Sequence, residues 1–514
     1  MPGTANRQLV LDGTSLTLDD LEAVAHGAAG ALLAPSARSR MLASRQVVEQ
    51  IARENKPVYG INTGFGSLAS VRIPPNRLED LQRNLVRSHC AGLGPPLARR
   101  EVRAAMLLRV NALARGHSGI RPEIVEMLLA MLEHGLHPVL PSQGSVGASG
   151  DLAPLAHMAL TLLGEGEVER GGQILPAALA LAEVGLTPQT LQAKEGLALI
   201  NGTQVTTAIG SLALLRAERL LLLADIAGAM VLEGVRGSIK PFDPRVQSMR
   251  PHPGQARVAR NILKLTADSA INESHRECGR VQDSYALRCM PQVHGAVRDT
   301  LAHVRKTLTI EANSSTDNPL VLSDQGELIS CGNFHGAPAG YVLDFLAVVM
   351  ADLASMSERR VERLVNPALS DLPAFLTREA GVQSGLMLAQ ASAASIVSEN
   401  KTLAHPASVD SIPTSSDQED HVPMSTLAAR KAAQIIENCE KVIAIEFLAA
   451  AQALDLLRPL TPGKGIQAVH AAIRSKVPQL KEDRPPAQDI EKILVLMREG
   501  ELIHAACQQV GNLE

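Results

Sequence analysis

The sequence predicts a mainly α protein, an elongated bundle of long helices with a smaller mixed α/β N-terminal part. Two observations carry this. Three helical runs, roughly 203–234, 338–364 and 423–456, each far exceed the ~11–12 residues of an ordinary globular helix. The chain is also 46% apolar over 514 residues yet has only 3 Tyr, 6 Phe and no Trp. Its core must therefore be aliphatic, which suits long helices packed along a Leu/Ala/Val/Ile seam.

In chain order, QLVLDGTSLTL reads as a short hairpin with an Asp12-Gly13 turn. Thr17 and Asp20 form a capping-box-like start for the helix that follows. Residues 57–75 carry Gly, Asn and Pro and predict a long loop. From Glu101 onward apolar residues recur three and four apart, the helical period. A hairpin is expected near 167–175, turning at Arg170-Gly171-Gly172. Pro423 fits the first turn of the last long helix, where a missing N–H costs nothing. The expected division is 1–115 for the mixed part with a mobile Tyr loop, and 116–514 for the bundle.

Composition excludes several classes. With 53 acidic residues against 49 Lys+Arg, the formal charge is −4. No basic face or set of stacking aromatics is available for nucleic acid. The most hydrophobic stretch, around 206–235, holds Arg216, Glu218, Arg219 and Asp225, so it reads as a buried helix and not a membrane span. The start, MPGTANRQLVLDG, lacks the basic and apolar regions of a secretion signal. The 6 Cys contain no CxxC pair, so reduced thiols in a cytoplasmic protein are expected. No His/Asp/Glu cluster has clear metal-ligand spacing, and no metal site is assigned.

Chemistry concentrates in polar, Gly-rich loops that interrupt the helices: VYGINTGFGS (58–67), RNLVRSHCAGLG (83–94), GSVGASGDLAPLAH (144–157), KEGLALINGTQ (194–204), QDSYALRCMPQVHGA (282–296) and TSSDQEDHV (414–422). Two of the 3 tyrosines, Tyr59 and Tyr285, lie in these loops. The Ala148-Ser149-Gly150 tripeptide can cyclise if the Gly150 nitrogen attacks the Ala148 carbonyl carbon, an approach that small residues leave uncrowded. Loss of two waters, one carrying the Ser149 hydroxyl, leaves an exocyclic methylidene. Taken alone, the tripeptide is common and reads as a Gly-rich turn before a helix capped near Asp151; its context favours the cyclised reading. A serine hydrolase is disfavoured because the string is GASGD, not GxSxG.

The whole GSVGASGDLAPLAH segment, with KEGLALINGTQ, QDSYALRC-PQV, TDNPL (316–320), GNFH (332–335) and SENKTLAHPASVDSIPTSSDQEDHV (398–422), resembles the aromatic amino-acid lyase family, and within it the members that act on histidine. The blocks follow the family's order from about 55 to 425. The resemblance implies a 4-methylidene-imidazol-5-one (MIO) made autocatalytically from Ala148, Ser149 and Gly150, with no external cofactor. It implies a cytoplasmic homotetramer whose sites combine loops of different subunits, and conversion of L-histidine to trans-urocanate and ammonia, the first step of histidine degradation. A tyrosine or phenylalanine ammonia-lyase, or an aminomutase, is the alternative on the same scaffold.

Carried over by this resemblance, Tyr59 matches the base that removes the β-proton. Asn201 and Tyr285 match residues lining and activating the MIO, and Phe334 the aromatic packed near it. Arg288 matches the grip on the substrate carboxylate, a task suited to a planar fork of donors. Gln282 joins the same polar network. His89 and Glu419 match positions facing the substrate side chain, with Glu419 set to hydrogen-bond an imidazole. Met290 and Asp417 depart from the text usual for histidine-specific members, where Gln and Asn are common. Free tyrosine has a pKa near ~10, so the role implies that Tyr59 is tuned downward.

Overall fold

The computed structural model describes residues 7–54, 57–276 and 279–514. The protein is mainly helical, with short strands confined to small sheets of two or three strands. The expected long helices form over Gln204–Gly234, Ala337–Val365 and Ser425–Leu456. A further long helix, Met290–Ala312, was not singled out by the sequence pattern. The Ala337–Val365 helix is long and apolar enough to cross a membrane, but 61% of its most apolar window is buried inside the protein, as in a core helix.

By packing, the chain sorts into two units, neither of them a continuous stretch. The first comprises 1–215, 304–344 and 406–430; the second comprises 216–303, 345–405 and 431–514. In the first unit the opening strand is not half of a hairpin. Arg7–Leu11 pairs in parallel with Ala29–Leu33, joined through the Leu18–Ala25 helix. Parallel pairing needs a crossover of this length, and the Asp12 carboxylate instead folds back on the Thr14 and Ser15 N–H groups. The cap of that helix forms as expected, with Thr17 Oγ1 accepting from the Asp20 N–H at 3.1 Å. Residues 57–75 are a loop with short 3-10 turns and a single antiparallel bridge, Thr63 to Arg72. The hairpin Glu167–Arg170 and Gln173–Pro176 turns at Gly171-Gly172.

Pro423 lies outside its helix. Met424 adopts a left-handed φ of 49° and the helix begins at Ser425, because the Met424 N–H is committed to the Val146 carbonyl at 2.9 Å.

In the second unit the aliphatic packing is cross-linked by one buried polar chain. His294 Nδ1 meets Asp225 Oδ1 at 2.8 Å, and Arg360 Nη1 approaches His294 Nε2 at 3.2 Å while its Nε donates to Glu446 Oε1 at 2.5 Å. Arginine can only donate, so Nε2 accepts and the imidazole is neutral with its proton on Nδ1. Each buried charge thus has a partner, which offsets the cost of desolvation. The five described cysteines are unpaired; Cys278 and the first six residues lie outside the described residues.

Candidate active site

Ala148, Ser149 and Gly150 occupy the loop between the short strand Pro141–Gln143 and the Leu152–Leu162 helix. The path requires glycine. Gly150 has φ +72°, and a Cβ there would stand 2.1 Å from the Gly202 carbonyl oxygen. Backbone bonds fix the loop: Gly336 N–H donates to Gly147 O at 2.9 Å, Met424 N–H to Val146 O at 2.9 Å, and Asp151 N–H to Gly202 O at 2.7 Å.

Four helices begin at or beside residues bonded to this loop: Leu152–Leu162, Gln204–Gly234, Ala337–Val365 and Ser425–Leu456. Their first turns hold N–H groups without intrahelical partners and the positive ends of helix dipoles. Asp151 is fully buried among them. It accepts from the Thr206 N–H (2.7 Å), Thr206 Oγ1 (2.8 Å), Thr426 Oγ1 (2.7 Å) and Ser145 Oγ (3.2 Å). Burial pushes its carboxyl above the ordinary range, and these hydrogen bonds pull it back.

Both polar ends of Ser149 are held. Its carbonyl oxygen accepts from Asn201 Nδ2 at 2.9 Å and the Gly202 N–H at 3.4 Å. Its hydroxyl donates to Glu419 Oε1 at 2.8 Å, and Glu419 Oε2 accepts from Thr414 Oγ1 at 2.5 Å. Asn201 is buried, and its Oδ1 has no hydrogen-bond partner.

Tyr59 lies in the 57–75 loop with its ring edge-on to Phe65, 6.2 Å between centroids. Burial pushes its phenol upward. The Gly66 N–H opposes this, while the charges of Glu419 and Asp317 raise it further. The expected downward tuning is therefore not found within this chain, because carboxylates and an apolar setting both disfavour the phenolate. His89 ends the Leu78–His89 helix and gives its Nδ1 proton to the Leu85 carbonyl at 2.8 Å, leaving Nε2 as an acceptor. Burial lowers its pKa, with Glu419 opposing. Phe334 is half-buried in the turn before Gly336.

The first unit thus gathers Tyr59, His89, Ser149, Asn201 and Glu419 by hydrogen bond or by electrostatic influence. Gln282, Tyr285 and Arg288 belong to the second unit. There Gln282 is exposed, Tyr285 is 70% exposed, and the Arg288 guanidinium stacks 4.8 Å from the Tyr285 ring centre. Arg288 Nε is buried without a partner. Sequence reasoning missed Thr414 and Arg109 and took Asp151 only as a cap. The available signal for Arg109 was a charged residue inside the apolar run AAMLLRVNALA. Among the described residues, no group of three or more His, Cys, Asp or Glu could hold a metal ion.

Residues 16–475 match the profile described as aromatic amino acid lyase. The chain belongs to the aromatic amino-acid lyase family. A histidine ammonia-lyase of Gloeobacter violaceus is 55% identical over 507 residues, covering 98% of this chain and 99% of that protein. The crystal structure of histidine ammonia-lyase from Trypanosoma cruzi is similar at a TM-score of 0.91 and 44% identity, covering 98% of this chain and 96% of that one. Tyrosine aminomutase from Streptomyces globisporus reaches a TM-score of 0.93 at 39% identity, covering 99% of this chain and 100% of that one. Membership of this family makes the chain a carbon–nitrogen lyase, and the loop at Ser149 is the place in the first unit where its polar donors converge.

Proposed function

We propose that this chain eliminates ammonia from L-histidine to give trans-urocanate, with an MIO closed from Ala148, Ser149 and Gly150. The observation that carries the proposal is the double hold on Ser149, by amide donors at its carbonyl and a carboxylate at its hydroxyl. These residues fit the group: the glycine that must lose its N–H has no room for a side chain, and the hydroxyl that must leave lies within reach of Glu419. Once closed, the group supplies an electron-poor methylidene at Ser149 Cβ, conjugated to the Ser149 carbonyl.

The chain's own groups then divide the work. Asn201 Nδ2 and the Gly202 N–H face the carbonyl oxygen on which charge collects, the arrangement of an oxyanion hole. Helix N-termini around the loop favour the same charge. Departure of the Ser149 hydroxyl frees Glu419 Oε1 to accept from an imidazole N–H, while His89 Nε2 offers a second acceptor. Tyr59 is the proposed base at the β-carbon. Burial, with the charges of Glu419 and Asp317 added to it, keeps it protonated at rest, so its activation calls for a cation, which the substrate ammonium can supply. Arg288, beside Tyr285 and Gln282, is the proposed grip on the substrate carboxylate.

A homotetramer is part of the proposal, supported by exposed apolar residues such as Val281 (94%) and by a stripe of Tyr341, Phe345 and Val348 on one face of a single helix. A cytoplasmic setting is supported by the unpaired thiols. Histidine is favoured over phenylalanine because an apolar ring would leave Glu419 Oε1 desolvated and without a donor. It is favoured over tyrosine, whose phenol could donate there, because the histidine ammonia-lyases are the more similar relatives, at 55% identity against 39% for the tyrosine aminomutase. The test is an assay of purified protein with the three amino acids, with intact mass alongside. A mass lower by two waters, restored in Ser149→Ala, and a highest kcat/KM for histidine are expected. A higher kcat/KM for tyrosine or phenylalanine overturns the substrate, and an unshifted mass overturns the electrophile.

A further inference from the structure

Arg109 lies in the middle of the Arg99–Ala114 helix and is fully buried. Its Nη1 donates to the Asn201 carbonyl oxygen at 2.6 Å, and its Nε and Nη2 have no hydrogen-bond partner. Burying a guanidinium with two nitrogens unpartnered is costly, so a purely structural account would have to tolerate a large penalty for a single bond. Burial lowers it to about 10, opposed by the nearby charges of Asp317 and Asp151, so it is a cation at neutral pH.

The bond it makes explains the position. The carbonyl of Asn201 and the N–H of Gly202 are the two ends of one peptide group. That N–H is the one directed at the Ser149 carbonyl oxygen at 3.4 Å, beside the Asn201 side-chain donor at 2.9 Å. A cation on the carbonyl end withdraws electron density through the planar amide and makes the N–H end a better donor, the cooperative strengthening found in hydrogen-bond chains. Nearby, Lys194 Nζ pairs with Asp317 Oδ2 at 2.8 Å, which consumes part of the negative charge that would otherwise neutralise Arg109.

We infer that Arg109 is a positioning residue, the cationic end of a relay running through the Asn201–Gly202 peptide to the Ser149 carbonyl oxygen, and that it tunes how strongly the Ser149 centre attracts nucleophiles. The inference rests on the proposed electrophile at Ser149, and its failure can be told apart from the failure of that electrophile.

The test compares Arg109→Gln and Arg109→Lys with the unaltered protein by intact mass, by rate of cyanide addition and by kcat and KM for histidine. Cyanide bonds at Ser149 Cβ, the π pair moves to the Ser149 carbonyl oxygen and a proton is taken up, with loss of the near-ultraviolet chromophore. Because one oxyanion donor is weakened and not removed, Arg109→Gln should keep the two-water mass deficit, lower both the cyanide rate and kcat by about tenfold and leave KM within about twofold. Arg109→Lys, which keeps the charge, should stay within about threefold of the unaltered protein.

Two results would overturn the relay: Arg109→Gln at unaltered rates, or equal losses in the two variants. If Arg109→Gln does not fold or does not close the ring, Arg109→Lys decides alone. A folded, ring-bearing R109K protein slowed well beyond about threefold overturns the inference. Absence of the mass deficit in the unaltered protein would instead sink the electrophile itself.

Discussion

Replacing Gly150 by alanine strikes the loop where it has least room. The new Cβ would lie 2.1 Å from the Gly202 oxygen, 2.3 Å from its carbonyl carbon and 2.6 Å from its Cα. To restore an ordinary contact of 3.4 Å, the Gly202 carbonyl must retreat by about 1.3 Å. That carbonyl accepts the Asp151 N–H at 2.7 Å, and its own residue's N–H serves Ser149, so the retreat breaks one bond outright and spoils another. A left-handed φ adds about 1–2 kcal/mol for a residue with a Cβ, and each buried bond lost adds about 1–3 kcal/mol, giving a destabilisation on the order of 3–5 kcal/mol. Loss of the Asp151 bond also loosens the chain next to Gly150, whose nitrogen must reach the Ala148 carbonyl carbon for the ring to close. Denaturant melts should report the stability loss, and intact mass should show no two-water deficit. Histidine turnover should drop at least about a thousandfold, since the proposed route needs the electrophile. A G150A protein that melts like the unaltered one and keeps both mass deficit and turnover would refute the steric reasoning.

Tyr59→Phe should leave the mass deficit intact while lowering kcat severely, by about a hundredfold or more if the phenol is the general base; retained turnover would assign proton removal elsewhere. Arg288→Lys should chiefly raise KM, because a point charge replaces a bidentate fork, and an unchanged KM would show the carboxylate is held by other groups. Glu233, buried in the second unit and accepting the Gly463 N–H at 3.0 Å, is raised from 4.5 to about 7 by burial. A raised folded pKa gives stability that is full below the unfolded value and is lost as pH climbs through the folded one. Glu233→Gln should therefore be close to neutral in melts at pH 4 and stabilising by about 3 kcal/mol at pH 8. Equal effects at both pH values would remove Glu233 as the titrating group.

What the sequence determined by itself was whatever depends on local order and composition. The long helices follow from sustained apolar periodicity with few aromatics, the Thr17 cap from a hydroxyl three residues ahead of its N–H, and the hairpin turn from paired glycines that accept positive φ. The tripeptide and its flanking text also pointed to the chemistry, because the reacting atoms are consecutive in the chain. Tertiary structure decided the rest. The opening strand chose a parallel partner over the adjacent turn because its pairing depends on a helix folding between the two strands. Pro423 fell outside its helix because a backbone bond to Val146 claimed Met424. The tuning of Tyr59 depends first on its burial and then on Glu419 and Asp317, more than 250 residues away in the chain, none of which a local pattern reports. Arg109 stood out in the sequence only as a charge inside an apolar run, and its partner was decided only when folding enclosed it behind the Asn201 peptide. Periodicity and turn chemistry act between neighbours, whereas burial and electrostatic fields depend on which distant segments meet.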